Sequence, residues 1–134
     1  MHLTGGCLCG AIRYEVLYEA DAVVDYCHCR QCQLASGAPV IAWMQVPPAA
    51  FRVVRGSAAG YAWSPTAKRW FCAACGSPLY MTDADGRSVG VTLGSLDNPE
   101  AVPPTVHGWE SERIGWFHVA DELPRYEQAP PYDL

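Results

Sequence analysis

The chain has 134 residues, half of them apolar, and carries nine Lys plus Arg against fourteen Asp plus Glu for a net charge of −5. That size accommodates one domain, residues 1–134, around one modest core, and the sparse, scattered cations exclude a phosphate-backbone binder. No apolar run approaches the roughly 20 residues of a membrane span, and Met1–Gly6 lacks the basic and apolar regions of a secretory leader, so the expectation is a cytoplasmic protein without nucleic-acid or membrane partners.

Eleven prolines and twelve glycines break the chain into short pieces. Ile12, Tyr14 and Val16 alternate with Arg13 and Glu15, the period of a half-buried strand. Ala22 to Tyr26 reads as a second strand, and Cys29 to Ser36 as one or two helical turns stopped by Gly37 and Pro39. Val40 to Val46 is a third strand, closed by Pro47-Pro48, and Phe51 to Val54 a fourth, closed by Gly56. Gly60 to Trp63 and Lys68 to Cys72 flank a turn at Ser64-Pro65. Pro78 to Met81 and Ser88 to Leu93 flank Asp85-Gly86, a hairpin signal. Further on, Asp97 to Glu100 reads as a turn, Thr105 to Trp109 and Ile114 to His118 as strands, and Pro130 to Leu134 as an irregular tail. The expected fold class is mainly β: short antiparallel strands, long loops and little helix.

All seven cysteines fall in three clusters: Cys7-Leu8-Cys9, Cys27-His28-Cys29-Arg30-Gln31-Cys32 and Cys72-Ala73-Ala74-Cys75. An odd count and a reducing compartment argue against a disulfide framework. The spacings suit zinc, which four thiolates close into a structural site and three protein ligands leave open for chemistry. Cys72-x-x-Cys75-Gly76 has the form of a knuckle, with the glycine permitting positive φ. Cys7 and Cys9, at i and i+2 of an extended segment, point the same way. Two partitions fit. Cys29, Cys32, Cys72 and Cys75 make a ribbon with three cysteines left over. Alternatively, Cys27, Cys29 and Cys32 form three corners of a tetrahedron at little loop-closure cost, while Cys7, Cys9, Cys72 and Cys75 tie the N-terminus to the middle of the chain. His28 lies between two cysteines that point together, so its ring points the other way and suits a supporting or substrate-facing role. His107 and His118 read as surface or satisfied core histidines, and the five tryptophans as core or pocket wall.

Three segments carry a resemblance: Gly5-Gly6-Cys7-Leu8-Cys9-Gly10-Ala11-Ile12-Arg13-Tyr14, Cys27 to Cys32, and Arg69-Trp70-Phe71-Cys72-Ala73-Ala74-Cys75-Gly76-Ser77. Together with Gly94 to Asp97, Pro104 to His107, Trp116 and Asp121 to Pro124, they make the chain resemble the glutathione-dependent formaldehyde-activating enzyme family, which includes centromere protein V. The resemblance implies a zinc-stabilised β-tent holding two zinc ions. Cys7, Cys9, Cys72 and Cys75 would hold the structural ion; Cys27, Cys29 and Cys32 would hold a second, catalytic one. The implied activity is a carbon–sulfur lyase making or cleaving S-(hydroxymethyl)glutathione, with glutathione as the small-molecule thiol partner. Arg13, Arg30, Lys68, Arg69 and Arg113 are the candidate cations for its carboxylates, and His28, Gln31 or water the candidate proton donors. The alternative is a non-catalytic zinc-stabilised binding or scaffold module, distinguished by a fourth protein ligand on the triple cluster. The oligomeric state is left open.

Overall fold

The computed structural model describes residues 1–132. Its ten strands are β1 (His2–Gly6), β2 (Arg13–Leu17), β3 (Val24–Cys27), β4 (Ile41–Val46), β5 (Phe51–Arg55), β6 (Ala59–Ser64), β7 (Ala67–Phe71), β8 (Pro78–Asp83), β9 (Val89–Thr92) and β10 (Val106–Gly108). Among the described residues there is one α-helix, α1 (Arg30–Ser36), between β3 and β4. Two sheets result. One is three-stranded in the order β1-β2-β5, and the other seven-stranded in the order β10-β3-β4-β9-β8-β7-β6. The mainly β class therefore stands. Among the described residues, no helix is long and apolar enough to cross a membrane.

Alternation in β2 sends Tyr14 and Val16 inward and leaves Arg13 and Glu15 toward solvent, as the sequence predicts. Tyr14 and Val16 pack with Val24, Met44, Val46, Leu79, Val91 and Val102 into the main core. The buried Tyr14 hydroxyl is satisfied by Ser95 Oγ at 2.6 Å, as a buried phenol requires. Outside the core, Arg13 and Asp97 form an ion pair that pins β2 to the segment after β9.

Three elements differ from expectation. β1 has no legible alternation in the sequence because of Gly5 and Gly6, yet it pairs with β2 from His2↔Leu17 to Gly6↔Arg13. Burial of Gly5 explains the glycine: a Cβ there would collide with the Tyr14 ring and the Ser95 carbonyl. β10 pairs with β3 in parallel, whereas the other paired strands are antiparallel. Ile114 to His118 is not a strand. Its Trp116 is largely exposed, and carbonyls of the segment are held by the Arg113 guanidinium, which donates to Ile114 O and Phe117 O at 3.1 and 2.9 Å. The predicted tail is irregular as far as Tyr132; Asp133 and Leu134 lie outside the described residues.

Gly56 turns the chain after β5 at φ 73°, and a Cβ there would strike the Ala11 carbonyl. Gly56→Ala is therefore expected to destabilise the fold by about 1–3 kcal/mol. Urea unfolding checks this: the midpoint should fall with the slope unchanged.

Candidate metal centres and active site

The first cluster forms where two turns meet. Cys7 to Gly10 is a tight turn rather than the extended clip expected: Gly10 N–H donates to Cys7 O at 3.1 Å and Ile12 N–H to Cys7 Sγ at 3.3 Å. The second turn is a knuckle after β7, where Gly76 adopts φ 78° and its N–H donates to Cys72 O at 2.7 Å. Ser77 joins the two, its Oγ accepting from Leu8 N–H at 3.0 Å and lying 3.2 Å from Cys75 Sγ. Cys7 and Cys9 sulfurs lie 3.6 Å apart, and Cys9 and Cys72 sulfurs 3.8 Å. A tetrahedral zinc with Zn–S of about 2.3 Å has S–S edges of about 3.8 Å, and a disulfide is near 2.05 Å. The cysteines are unbridged, and the donor set fits zinc. Since Cys7 and Cys9 follow β1 and Cys72 and Cys75 follow β7, the cluster links the two sheets.

The second cluster is local. Cys27 ends β3, Cys29 caps α1 by accepting Cys32 N–H at its Sγ, 3.3 Å away, and Cys32 sits in the first turn. Cys27 and Cys32 sulfurs are 3.5 Å apart. Thiol contacts from Cys27 and Cys29, followed by the Arg69 guanidinium, pull Cys32 down to about 2 against its burial. Neighbouring Cys29 and Cys32, together with burial, push Cys27 far up. Three sulfurs this close together form a donor set that a divalent cation such as zinc would bind as thiolates. Among the described residues, no fourth His, Cys, Asp or Glu ligand atom lies within 4.8 Å of all three.

Cys27, Cys29 and Cys32 line a cavity of about 440 Å³. Its wall includes Asp25 and Trp43, register partners on β3 and β4, with Trp63, Arg69, Trp109 and Tyr132. Arg69 Nη2 donates to Cys32 Sγ at 3.5 Å while the guanidinium stacks over Trp63 at 4.4 Å. Tyr132 Oη donates to Asp25 Oδ2 at 3.2 Å. Burial, opposed by that hydrogen bond, raises the Asp25 carboxyl to about 7. Three buried polar atoms of the wall have no protein partner: Asp25 Oδ1, Trp43 Nε1 and Trp63 Nε1. All three atoms are covered in the structure, and their residues stand in the wall of this one cavity. A larger cleft of about 620 Å³ beside Cys7 has Arg13 and Asp97 neutralising one another in its wall, and no unpartnered buried polar atom of the described residues lies there.

His28 does not face this cavity and stands behind the cluster as a supporting residue. It is wholly buried and does not line the cavity. Its Nε2 lies 2.8 Å from His107 Nδ1, and His107 Nε2 lies 2.9 Å from the Asp121 carboxylate. His28 N–H donates to Gly108 O at 3.1 Å. The pair braces β3 against β10 beneath Cys27 and Cys29, so His107 is the satisfied core histidine expected. Gln31 does line the cavity. Of the five candidate cations only Arg69 does so; Arg13 pairs with Asp97, Arg113 with Glu110, Arg30 contacts Gln33, and Lys68 lies over Trp70. Asp25 and Tyr132 were missed. Asp25 was legible two residues before Cys27, on the same strand face; Tyr132 carries no local signal.

The glutathione-dependent formaldehyde-activating enzyme model matches residues 2–112, most of the chain and all three cysteine clusters. The chain belongs to that family. An uncharacterized lyase of Schizosaccharomyces pombe is 33% identical over 86 residues, covering 63% of this chain and 60% of that protein's length. A crystal structure of a Rhodobacter sphaeroides protein superposes with a TM-score of 0.61 at 31% identity, covering 76% of this chain and 92% of that one. Family membership and the cavity together direct attention to the three-cysteine side of the molecule.

Proposed function

We propose that the protein is a zinc-dependent carbon–sulfur lyase that forms or cleaves the bond between a thiol and an aldehyde carbon, with S-(hydroxymethyl)glutathione, the family's named product, as one such adduct. The observation that carries the reading is the three-cysteine cluster set in the wall of a cavity. A scaffold role predicts a fourth protein ligand instead, and the described residues offer none. In this reading Cys7, Cys9, Cys72 and Cys75 hold a structural zinc, and Cys27, Cys29 and Cys32 a catalytic one.

When bound by three thiolates, zinc supplies a vacant coordination position and lowers the pKa of a thiol that enters it. The remaining work falls to side chains. In the forward direction the thiol loses its proton, sulfur donates a pair to the aldehyde carbon, the carbonyl π pair moves to oxygen, and that oxygen takes a proton. No electrons are gained or lost. Gln31 and Arg69, both on the cavity wall, are the donors that can meet the oxygen as negative charge develops on it. Arg69 opposes the excess negative charge at Cys32 and is held over Trp63 for that task. His28 is a positioning residue, holding the Cys27–Cys29 segment against β10.

Exchange NMR tests the reading. Zinc-loaded protein at micromolar concentration, mixed with formaldehyde and glutathione, should speed exchange between free and hydroxymethyl thiol above the buffer rate. No acceleration with glutathione or with any simpler thiol would remove the lyase reading.

A further inference from the structure

We infer that Gln45, at the end of the cavity away from the cysteines, recognises the γ-glutamyl head of a peptide thiol such as glutathione; this rests on the thiol–aldehyde chemistry proposed above. Gln45 lies on β4, two residues from Trp43 and on the same face, and it lines the cavity. It is 8% exposed. Among the described residues its side-chain amide has no hydrogen-bond partner. Neither its oxygen nor its nitrogen is covered, in contrast to Trp43 and Trp63 Nε1. A nearly buried amide open only to a cavity offers its donors and its acceptor to whatever fills that cavity. Gly90, opposite on β9, makes the room: a Cβ there would come within 3.1 Å of Gln45 Nε2.

Asp83 decides which part of the ligand reaches that end. Asp83 and Ser88 line the same cavity. Ser88, two residues before Gly90, donates its hydroxyl to Asp83 Oδ2 at 3.3 Å, and Arg87 N–H donates to Asp83 Oδ1 at 2.8 Å. Burial raises the Asp83 carboxyl, but the backbone N–H groups of Arg87 and Ser88 outweigh it and hold the group below its ordinary value, so it is an anion at neutral pH. A bare carboxylate, such as the glycyl end of glutathione, meets like charge there. The γ-glutamyl head instead brings an ammonium for Asp83 and Gln45 Oε1, and a carboxylate for Gln45 Nε2. Length agrees. Cys27 pairs with Ile41, so Gln45 stands four residues further along β4, about 13 Å away. The γ-glutamyl arm spans about 8 Å from sulfur to its α-carbon, and a glutamine side chain adds about 4 Å. A two-carbon thiol stops short of Gln45. In the reaction the head is a spectator: the thiol proton is released, the C–S bond forms, and the carbonyl oxygen is protonated.

The test compares thiols on the zinc-loaded protein at fixed formaldehyde, by exchange NMR. Glutathione and γ-glutamylcysteine carry the head; N-acetylcysteinylglycine lacks it and, being acylated at the cysteine nitrogen, does not cyclise with the aldehyde. The wild type should turn over the first two with kcat/KM values within about threefold of each other and at least about tenfold above the third, the scale of one charge-assisted hydrogen bond. Gln45→Leu keeps the side-chain size and removes the amide. It should lower kcat/KM for glutathione about tenfold, chiefly through a higher KM, and leave N-acetylcysteinylglycine within about twofold. A readout free of turnover is the pair of Gln45 side-chain ¹⁵N–H resonances, which should shift on titration with γ-glutamylcysteine and stay in place with N-acetylcysteinylglycine. The inference is overturned if N-acetylcysteinylglycine equals glutathione on the wild type, if Gln45→Leu lowers all three thiols alike, or if those resonances do not respond; the lyase reading survives each of these results. Should no thiol be accelerated, both readings fall together. The wild-type ranking and the resonance shifts decide the matter even if Gln45→Leu does not fold.

Discussion

Chelating the metal, or replacing Cys72 by Ser, is expected to unfold the chain at room temperature. Cys72 is 2% exposed, and its sulfur belongs to the cluster that joins the turn after β1 to the knuckle after β7. Structural zinc contributes about 10–16 kcal/mol of apparent binding free energy in small peptides at neutral pH. Whole-domain stability is about 5–15 kcal/mol. Losing the first therefore exhausts the second, even allowing for a large discount in a chain with a core of its own. A serine hydroxyl does not replace the thiolate, and it leaves the other three sulfurs crowded and uncompensated. Circular dichroism and urea titration check the prediction: the β signal should collapse and the cooperative transition vanish. A transition within about 0.5 M urea of the wild-type midpoint would show that the two sheets hold together without the ion, since slopes of about 1–3 kcal/mol per M then bound its contribution to a kcal/mol or so.

Cys32→Ser is expected to behave in the opposite way, staying folded while losing catalysis. Cys27, Cys29 and Cys32 are local to one another, and the secondary cluster around them contains only Trp43 as a further buried residue. The helix keeps its cap, because the Cys29 sulfur receives the backbone N–H of residue 32. The stability cost should therefore be of the ordinary size, about 1 kcal/mol. Activity should fall by at least about 10²–10³-fold, the usual penalty for removing a preorganised electrostatic element from a reacting centre. Metal analysis gives an independent readout: content should fall from two ions per chain to one, with the urea transition retained. A variant that keeps both ions and its rate would place the reaction elsewhere on the protein.

Both predictions were available in outline from the cysteine spacing, and it is instructive where that legibility stopped. Cys72-x-x-Cys75-Gly76 encodes its own turn, because two intervening residues and a positive-φ glycine fix the geometry locally. The strands β2, β4 and β5 were readable for a similar reason, each having its own alternation or a proline or glycine stop. β1 was not, because its inward position is a glycine packed on Tyr14, and glycine carries no hydrophobic signal. The partition of seven sulfurs between two sites was underdetermined by spacing alone, since it depends on which turns a tertiary fold brings together. The cavity wall was less legible still. Asp25, Trp63, Arg69 and Tyr132 come from four separate stretches, and a lone arginine looks the same in sequence whether it faces solvent, a carboxylate or a sulfur. Ile114 to His118 shows the converse error: apolar and aromatic residues in a short run suggested a strand, but the segment's carbonyls are taken by an arginine side chain instead of a neighbouring strand.

The two sulfur clusters differ in the length of chain that each must close. Cys27 and Cys32 are 5 positions apart, whereas Cys9 and Cys72 are separated by 63. Closing the longer loop costs roughly 2 kcal/mol more entropy, by the logarithmic dependence on length. If both clusters hold zinc as proposed, a nascent or denatured polypeptide would capture its first ion at the short span, and the ion between the sheets would bind only once they have docked. Refolding from urea should accordingly depend on metal concentration in two kinetic phases, an early one insensitive to tertiary structure and a late one coincident with it.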